Sequence, residues 1–183
     1  MQESFTKQTD TKRTTMKTWR RIALILILFA DAGLLAWGAM AAVAPEHLPG
    51  PGSTLILPAE YQGVTQHSWS ELTGTSPLTA EFITILFRVY GAYIVAFGLL
   101  AIAIAATAFR RGESWAWWAL LAGNTIAYGS AMLYDRAVGA VGPLEMSEYM
   151  GLGAIYLALA VTAPFLKGKR DRQDTAHTQQ VAA

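Results

Sequence analysis

The sequence predicts an all-α membrane protein: an antiparallel, up-and-down bundle of four transmembrane helices with a long extracytoplasmic loop between the first two. Four apolar stretches each come close to or exceed the about 20 residues that a helix needs to cross a hydrocarbon core about 30 Å thick. They lie at about 22–44, 83–109, 115–134 and 147–165. The composition agrees, because 53% hydrophobic and 15% charged residues suit a 183-residue chain whose middle faces lipid.

The basic residues predict the orientation of these helices. Twelve of the 14 Lys and Arg residues precede the first stretch, separate the second from the third, or follow the fourth. The loop at 45–82 has none. Because basic residues favour the cytoplasmic side, we predict a multi-pass protein of the inner membrane with both termini in the cytoplasm. The transmembrane domain then spans 22–166, between cytoplasmic tails at 1–21 and 167–183. We predict that the polar segments 1–18 and 168–183 are disordered.

The first span follows Arg20 and Arg21 and ends at Pro45. A cleaved signal peptide is the alternative interpretation, since small residues precede Pro45. The apolar run is well beyond the about 7 to 15 residues of a signal core, and a proline directly after Ala44 would hinder cleavage. The sequence therefore favours a retained first helix.

The loop at 45–82 is too long for a simple connection. Its first half is rich in Pro and Gly and predicts irregular chain, in which Leu55 to Leu57 either dip into the membrane interface or form a short strand. In the second half, Trp69 and Leu72 predict a short amphipathic helix that lies on the bilayer. We expect the loop to cap the mouth of the bundle; a disordered loop is the alternative.

The later spans have readable ends. The third begins at Glu113 and Ser114, and we expect Ser147 or Glu148 to cap the fourth. The tryptophans Trp115, Trp117 and Trp118 are typical of an interfacial belt, with a ligand box as the alternative. Short connections make neighbouring spans antiparallel. Small residues recur in three of the spans and favour close helix packing: Gly91, Ala92, Ala96; Gly123, Ala127, Ala131; Ala154, Ala158, Thr162.

Two ionisable residues, Asp31 and Arg88, fall inside the predicted spans, where a charge is costly and is often functional. Asp31 lies nine residues into its helix, about 13 Å deep at 1.5 Å per residue. Asn124 lies at the same depth in the third span. We expect Asp31 and Asn124 to form a midplane polar layer with Tyr93 and Tyr156.

Arg88 lies nearer the outer end of its span and leans away from Asp31. Its expected partners are the outer acids or Tyr128, and Tyr128 with Asp135 would continue the polar layer toward Arg88. Those acids are Glu81, Asp135, Glu145 and Glu148. The candidate site is therefore Asp31, Arg88, Tyr93, Asn124, Tyr128, Asp135 and Tyr156. A structural ion pair at Arg88 and a neutral, hydrogen-bonded Asp31 are the alternatives to a functional role.

Other chemistry has little support in the sequence. The chain has no cysteine, so thiolate and iron–sulfur chemistry are excluded, and no phosphate loop, nucleophile elbow or zinc helix motif occurs. His47 and His67 lack a metal-ligand spacing. We expect no cofactor, no metal and no nucleic acid as partner, and we expect the basic flanks to contact anionic lipid.

Two segments, Phe87 to Gly91 and Phe109 to Trp118, resemble small uncharacterised bacterial four-span proteins of the DoxX-like group. The resemblance covers about 69–165 and implies the fold and a bacterial inner membrane. It transfers no reaction, because no functional residue can be matched.

Three roles follow from the sequence. The favoured one is a non-enzymatic accessory or scaffold that contacts another membrane protein or a second copy of itself. A binder of an apolar small molecule or lipid, or an isomerase-like enzyme acting on one, would use the polar layer instead. A proton or ion translocator has least support, since the spans are not broken.

Overall fold

The computed structural model describes residues 2–50, 54–139 and 143–163, and the all-α class is confirmed for them. Two helical stretches, Thr18–Val43 and Pro77–Phe109, are long and apolar enough to cross a membrane, and Met146–Thr162 is a shorter apolar helix. The helices are α1 (Gln2–Val43), α2 (Ile56–Thr65), α3 (Trp69–Thr75), α4 (Pro77–Ile104), α5 (Ser114–Val138) and α6 (Pro143–Thr162), with a 3-10 turn at Pro45–His47 and a π-helical segment at Ala105–Phe109.

The four long helices, α1, α4, α5 and α6, pack side by side and form the body of the protein. Helix α1 packs against both α4 and α6, and α5 packs against α6. The core between them is aliphatic, and its largest fully buried side chains include Ile27, Leu120, Ile155 and Leu159. Helix α1 is therefore a central element of the body, which is expected for an apolar helix that has to bury one face.

Helices α1 and α4 approach each other closely because both carry glycine at their crossing. A Cβ atom added at Gly91 would lie 2.7 Å from the carbonyl carbon of Ala41. One added at Gly38 would lie 2.6 Å from Cγ2 of Ile94. Only glycine allows these backbones to come so near. Of the small-residue seam predicted on α4, Gly91 packs on α1, whereas Ala92 and Ala96 are exposed, and that part of the prediction is wrong.

The turn that leads into α5 is formed around Gly112. Gly112 adopts a left-handed conformation with φ of 76°, and its N–H donates to the Phe109 carbonyl while that of Glu113 donates to the Ala108 carbonyl. This pair of bonds is a Schellman motif, which ends a helix at glycine. The Arg20 side chain donates to the Arg110 carbonyl and so ties the end of α4 to α1.

The loop after α1 packs on one end of the body where it is described. Leu48, Ile56 and Leu57 are buried in a cluster with Ala41 of α1. Ser68 caps α3 by accepting from the Glu71 N–H, as the Ser-x-x-Glu pattern favours. We call this end, which carries Val43, Pro77 and Val138, the cap end, and the opposite end, with Arg20 and Arg110, the arginine end.

Several predicted details are wrong. The backbone of α1 is helical from Gln2, where a disordered tail was expected, and α6 begins at Pro143 rather than at Ser147 or Glu148. Leu55–Leu57 form no strand segment beyond an isolated bridge between Pro49 and Leu55. Leu72 does not face outward but is buried. Trp69 packs on the cluster of Ala41, Leu48, Ile56 and Leu57, because the body offers an apolar surface there. The predicted C-terminal tail lies outside the described residues.

Candidate functional site

Asp31 and Asn124 are the most deeply buried polar side chains of the described chain. Both are fully buried. Neither carboxyl oxygen of Asp31 has a hydrogen-bond partner among the described residues, and each exposes less than 1 Å². The Asn124 amide nitrogen donates to the Leu120 carbonyl at 3.0 Å, but its oxygen has no described partner either. Unsatisfied buried oxygens are rare in proteins and require an explanation.

Tyr128 completes this buried polar group. Its hydroxyl donates to the carbonyl of Ala30, the neighbour of Asp31, at 3.1 Å, so α5 is hydrogen-bonded to α1 beside the acid. On the other side its ring packs on Gly151 of α6, where an added Cβ would lie 3.1 Å from Cε1. Tyr128 therefore joins three helices, and it lies within electrostatic range of Asp31. We call Asp31, Asn124 and Tyr128 the polar core.

Tyr93 and Tyr156 do not belong to the polar core, and their predicted place in it is wrong. Tyr93 is 73% exposed on the outside of α4. Tyr156 is half-exposed, and its hydroxyl lies 2.9 Å from the Thr125 hydroxyl on the neighbouring helix. Both tyrosines lie on the exposed faces of their helices, and Gly98 rather than Tyr93 is the residue of α4 at the level of Asp31.

Arg88 pairs with Glu46, an acid that was not among its expected partners. Its guanidinium lies 3.4 Å from Glu46, which belongs to the turn directly after α1, and both side chains are almost half exposed. The expected partnership with Tyr128 is wrong, since Tyr128 bonds Ala30. Asp135, half-buried, lies about two turns nearer the cap end than Tyr128. Arg88 is therefore separate from the polar core, and its ion pair with Glu46 connects the loop after α1 to α4.

Two other contacts of this kind were missed. Glu60 of α2 accepts a hydrogen bond from the Tyr134 hydroxyl of α5 at 3.1 Å, and Arg20 bonds the end of α4. Arg136, expected in a turn, lies in the last turn of α5 with its guanidinium 5.9 Å from the ring centre of Tyr149. No sequence spacing indicates these long-range pairs, because they depend on how the helices pack.

The described residues hold no group of three or more His, Asp or Glu side chains that would bind a metal ion. Comparison with protein-family models, with curated proteins and with solved structures finds no match for this chain. The interpretation of the polar core therefore rests on its own geometry.

The Glu46–Arg88 pair predicts a pH-dependent attachment of the cap. Hydrogen bonding to its own backbone and to Arg88 lowers the pKa of Glu46 below its ordinary 4.5. A lowered pKa in the folded state stabilises the contact above about 4.5, and this contribution disappears as the pH falls through the lowered pKa. Amide exchange at 46–48 should be faster in Arg88→Gln than in the parent at neutral pH.

The effect should be severalfold at most, because exposed ion pairs are screened. The two proteins should converge as the pH falls below the lowered pKa of Glu46, because its carboxyl group is then protonated in both. A difference that persists at that pH would mean that Arg88 acts through packing and not through its charge.

Proposed function

We propose that this chain is a four-span integral protein of a bacterial inner membrane, with both termini in the cytoplasm, and that it acts as a non-enzymatic accessory or scaffold. The observation that supports the membrane location is the exposure of large apolar side chains on all four long helices. They include Phe29 (79%), Leu100 (65%), Ile126 (71%), Leu133 (71%), Met150 (74%) and Leu157 (61%). A soluble surface rarely carries so much apolar area.

This exposure extends the membrane interpretation to α5 and α6. The apolar windows of the two strongest candidate spans are only 28% buried, whereas the core helix of a soluble protein is mostly buried. Helix α1 is packed between α4 and α6, which supports its retention in place of cleavage as a signal peptide. The resemblance to DoxX-like proteins favours the same four-span arrangement.

The closed polar core supports the accessory role. Asp31 and Asn124 are the groups on which a ligand-binding or catalytic role would depend, yet both are fully buried in this conformation. An acid that has neither a donor nor exposed surface is most stable in its protonated, neutral form. The polar core then acts as part of the helix interface, and the function lies on the outer surface.

Binding of an apolar small molecule is the second candidate, and one observation favours it. The oxygens of Asp31 and Asn124 are three acceptor atoms that lack a described donor. A ligand with a hydroxyl or amino group that opened the helix packing would satisfy them, and buried unpaired polar groups cost about 1–3 kcal/mol each.

Cysteine labelling tests the membrane arrangement, because the chain contains no cysteine of its own. Single cysteines at Thr75, Ser114 and Ala137 all occupy exposed positions, so their reactivity depends on the side of the membrane. In intact cells an impermeant thiol reagent should label Thr75→Cys and Ala137→Cys but not Ser114→Cys, which should react only after lysis.

The Ala137 site distinguishes four spans from two. If only α1 and α4 crossed the membrane, Ala137→Cys and Ser114→Cys would be protected together while Thr75→Cys was labelled. Labelling of Ser114→Cys in intact cells would overturn the orientation.

A further inference from the structure

The arginine end carries a concentration of positive charge drawn from two helices. We call Arg20, Arg21, Arg110 and Arg111 the arginine cluster. The bond from the Arg20 side chain to the Arg110 carbonyl brings the two arginine pairs together. Arg20 also lies against Gly112, where an added Cβ would be 3.3 Å from its Nη1. The cluster is therefore positioned by the fold, and all four side chains are exposed.

One acid lies beside this cluster, and its carboxylate is already engaged. Oε1 of Glu113 accepts from Nε of Arg111 at 2.8 Å, and Oε2 accepts from Nε1 of Trp115 at 2.6 Å. Among the residues that the structure describes at this end, four arginines and one glutamate give an excess of three positive charges. Within the described part of the chain, the guanidinium groups of Arg21 and Arg110 have no hydrogen-bond or ion-pair partner. Like charges held together in this way favour an anionic ligand.

The surroundings of the cluster are aromatic and apolar. Trp19, Trp115 and Trp118 are 48%, 53% and 62% exposed beside the arginines. Ile22 and Ile25, which follow on α1, are 42% and 65% exposed. Exposed indoles next to an apolar helix surface are typical of the level of lipid headgroups. A soluble phosphate would use the arginines but not this apolar flank.

We propose that the arginine cluster is a binding site for an anionic phospholipid of the cytoplasmic leaflet. The lipid phosphate contacts Arg21 and Arg110, the indoles flank the headgroup, and the acyl chains lie along α1 beside Ile22 and Ile25. Basic groups between helix ends on the cytoplasmic side bind such headgroups. This inference rests on the proposed membrane location and adds a specific lipid partner to it.

The test measures lipid selectivity through tryptophan fluorescence. The full chain is reconstituted in vesicles with brominated phosphatidylglycerol or brominated phosphatidylcholine, whose bromines quench nearby indoles. Parent protein should bind phosphatidylglycerol more tightly. The double variant Arg21→Gln/Arg110→Gln should lose up to about 25-fold of this selectivity, because each basic residue near an anionic surface contributes roughly fivefold. No described contact of either side chain is removed.

Arg136→Gln, at the cap end, is the matched control and should retain the selectivity. High salt should weaken it in the parent, since exposed charges are screened. Unchanged selectivity in the double variant, equal loss in the control, or equal affinity of the parent for both lipids would overturn the inference. Competition by millimolar inorganic phosphate would show a general phosphate site and would also overturn it.

Vesicle flotation separates this inference from the proposal on which it rests. A chain that fails to float with vesicles of either lipid is not an integral membrane protein. A chain that floats but shows no selectivity contradicts the lipid site alone.

Discussion

Replacing Gly91 by alanine is expected to lower the free energy of unfolding by about 2 kcal/mol or more, since overpacking a tight contact costs about 1–3 kcal/mol. The added methyl group would lie 2.7 Å from the backbone of Ala41, and backbone cannot move aside as a flexible side chain can. Helices α1 and α4 would have to separate along the crossing that also includes Gly38. Thermal unfolding in detergent measures the loss, at roughly 2–4 °C per kcal/mol for a chain of this size.

The same replacement of glycine by alanine at two other positions should raise the free energy of unfolding. An added Cβ at Gly129 or Gly153 meets nothing within 4 Å. Alanine at either position should stabilise the helix by about 0.5–1 kcal/mol, because glycine loses more conformational freedom on folding. If Gly91→Ala unfolds at the same temperature as these two variants, the close crossing of α1 and α4 is wrong.

Replacing Asp31 by valine should raise the stability of the protein. Valine has a similar volume and removes a fully buried carboxyl group whose oxygens lack a described donor. Removing such a group should gain about 1–3 kcal/mol. Asp31→Asn should stay within about 1 kcal/mol of the parent, since both side chains are polar and of similar shape. Ala32→Val, at the exposed neighbouring position, controls for the effect of a branched residue on α1.

The two Asp31 variants also decide between the proposed roles. An accessory protein with a structural polar core should keep its cellular activity in both variants. If a stable Asp31→Asn protein failed to rescue the phenotype of a gene deletion, this result would favour ligand binding or proton transfer, because asparagine cannot exchange a proton. Marked destabilisation by valine would show that Asp31 makes a favourable interaction in the folded protein.

Burial of the two polar residues Asp31 and Asn124 agrees with the expectation of a polar core, whereas the predicted place of Tyr93 in that core was wrong. A rise of about 1.5 Å per residue placed Asp31 and Asn124 at one level, and both are buried. Tyr93 was wrong, although a signal existed. It lies two residues after Gly91, about 200° around the helix from the residue that packs on α1. The position of Gly91 therefore indicates that Tyr93 points outward.

Partners that come from separate parts of the chain could not be found in this way. Glu46 reaches Arg88 because the 3-10 turn after α1 packs on α4. The burial of Leu72 likewise depends on the apolar surface that the cap meets, and Trp69 packs there for the same reason. Local patterns predict that such segments are ordered or helical, but tertiary packing decides which side they bury.

The hydrogen bond between Tyr128 and Ala30 joins residues 98 positions apart, and this separation has a consequence for biosynthesis. At about 5–20 residues per second, the ribosome needs roughly 5–20 s to add the residue that bonds beside Asp31. If α1 spans the membrane as we propose, the nascent helix would hold its acid in the bilayer during that interval without α5 or α6. The insertion cost of an aspartate at mid-membrane, about 2.5–3.5 kcal/mol, is small enough for an otherwise apolar helix to stay inserted until the later helices are made. Chains that stop before α5 would keep this acid uncovered by α5 and α6, and α1 alone would carry the full insertion cost of Asp31.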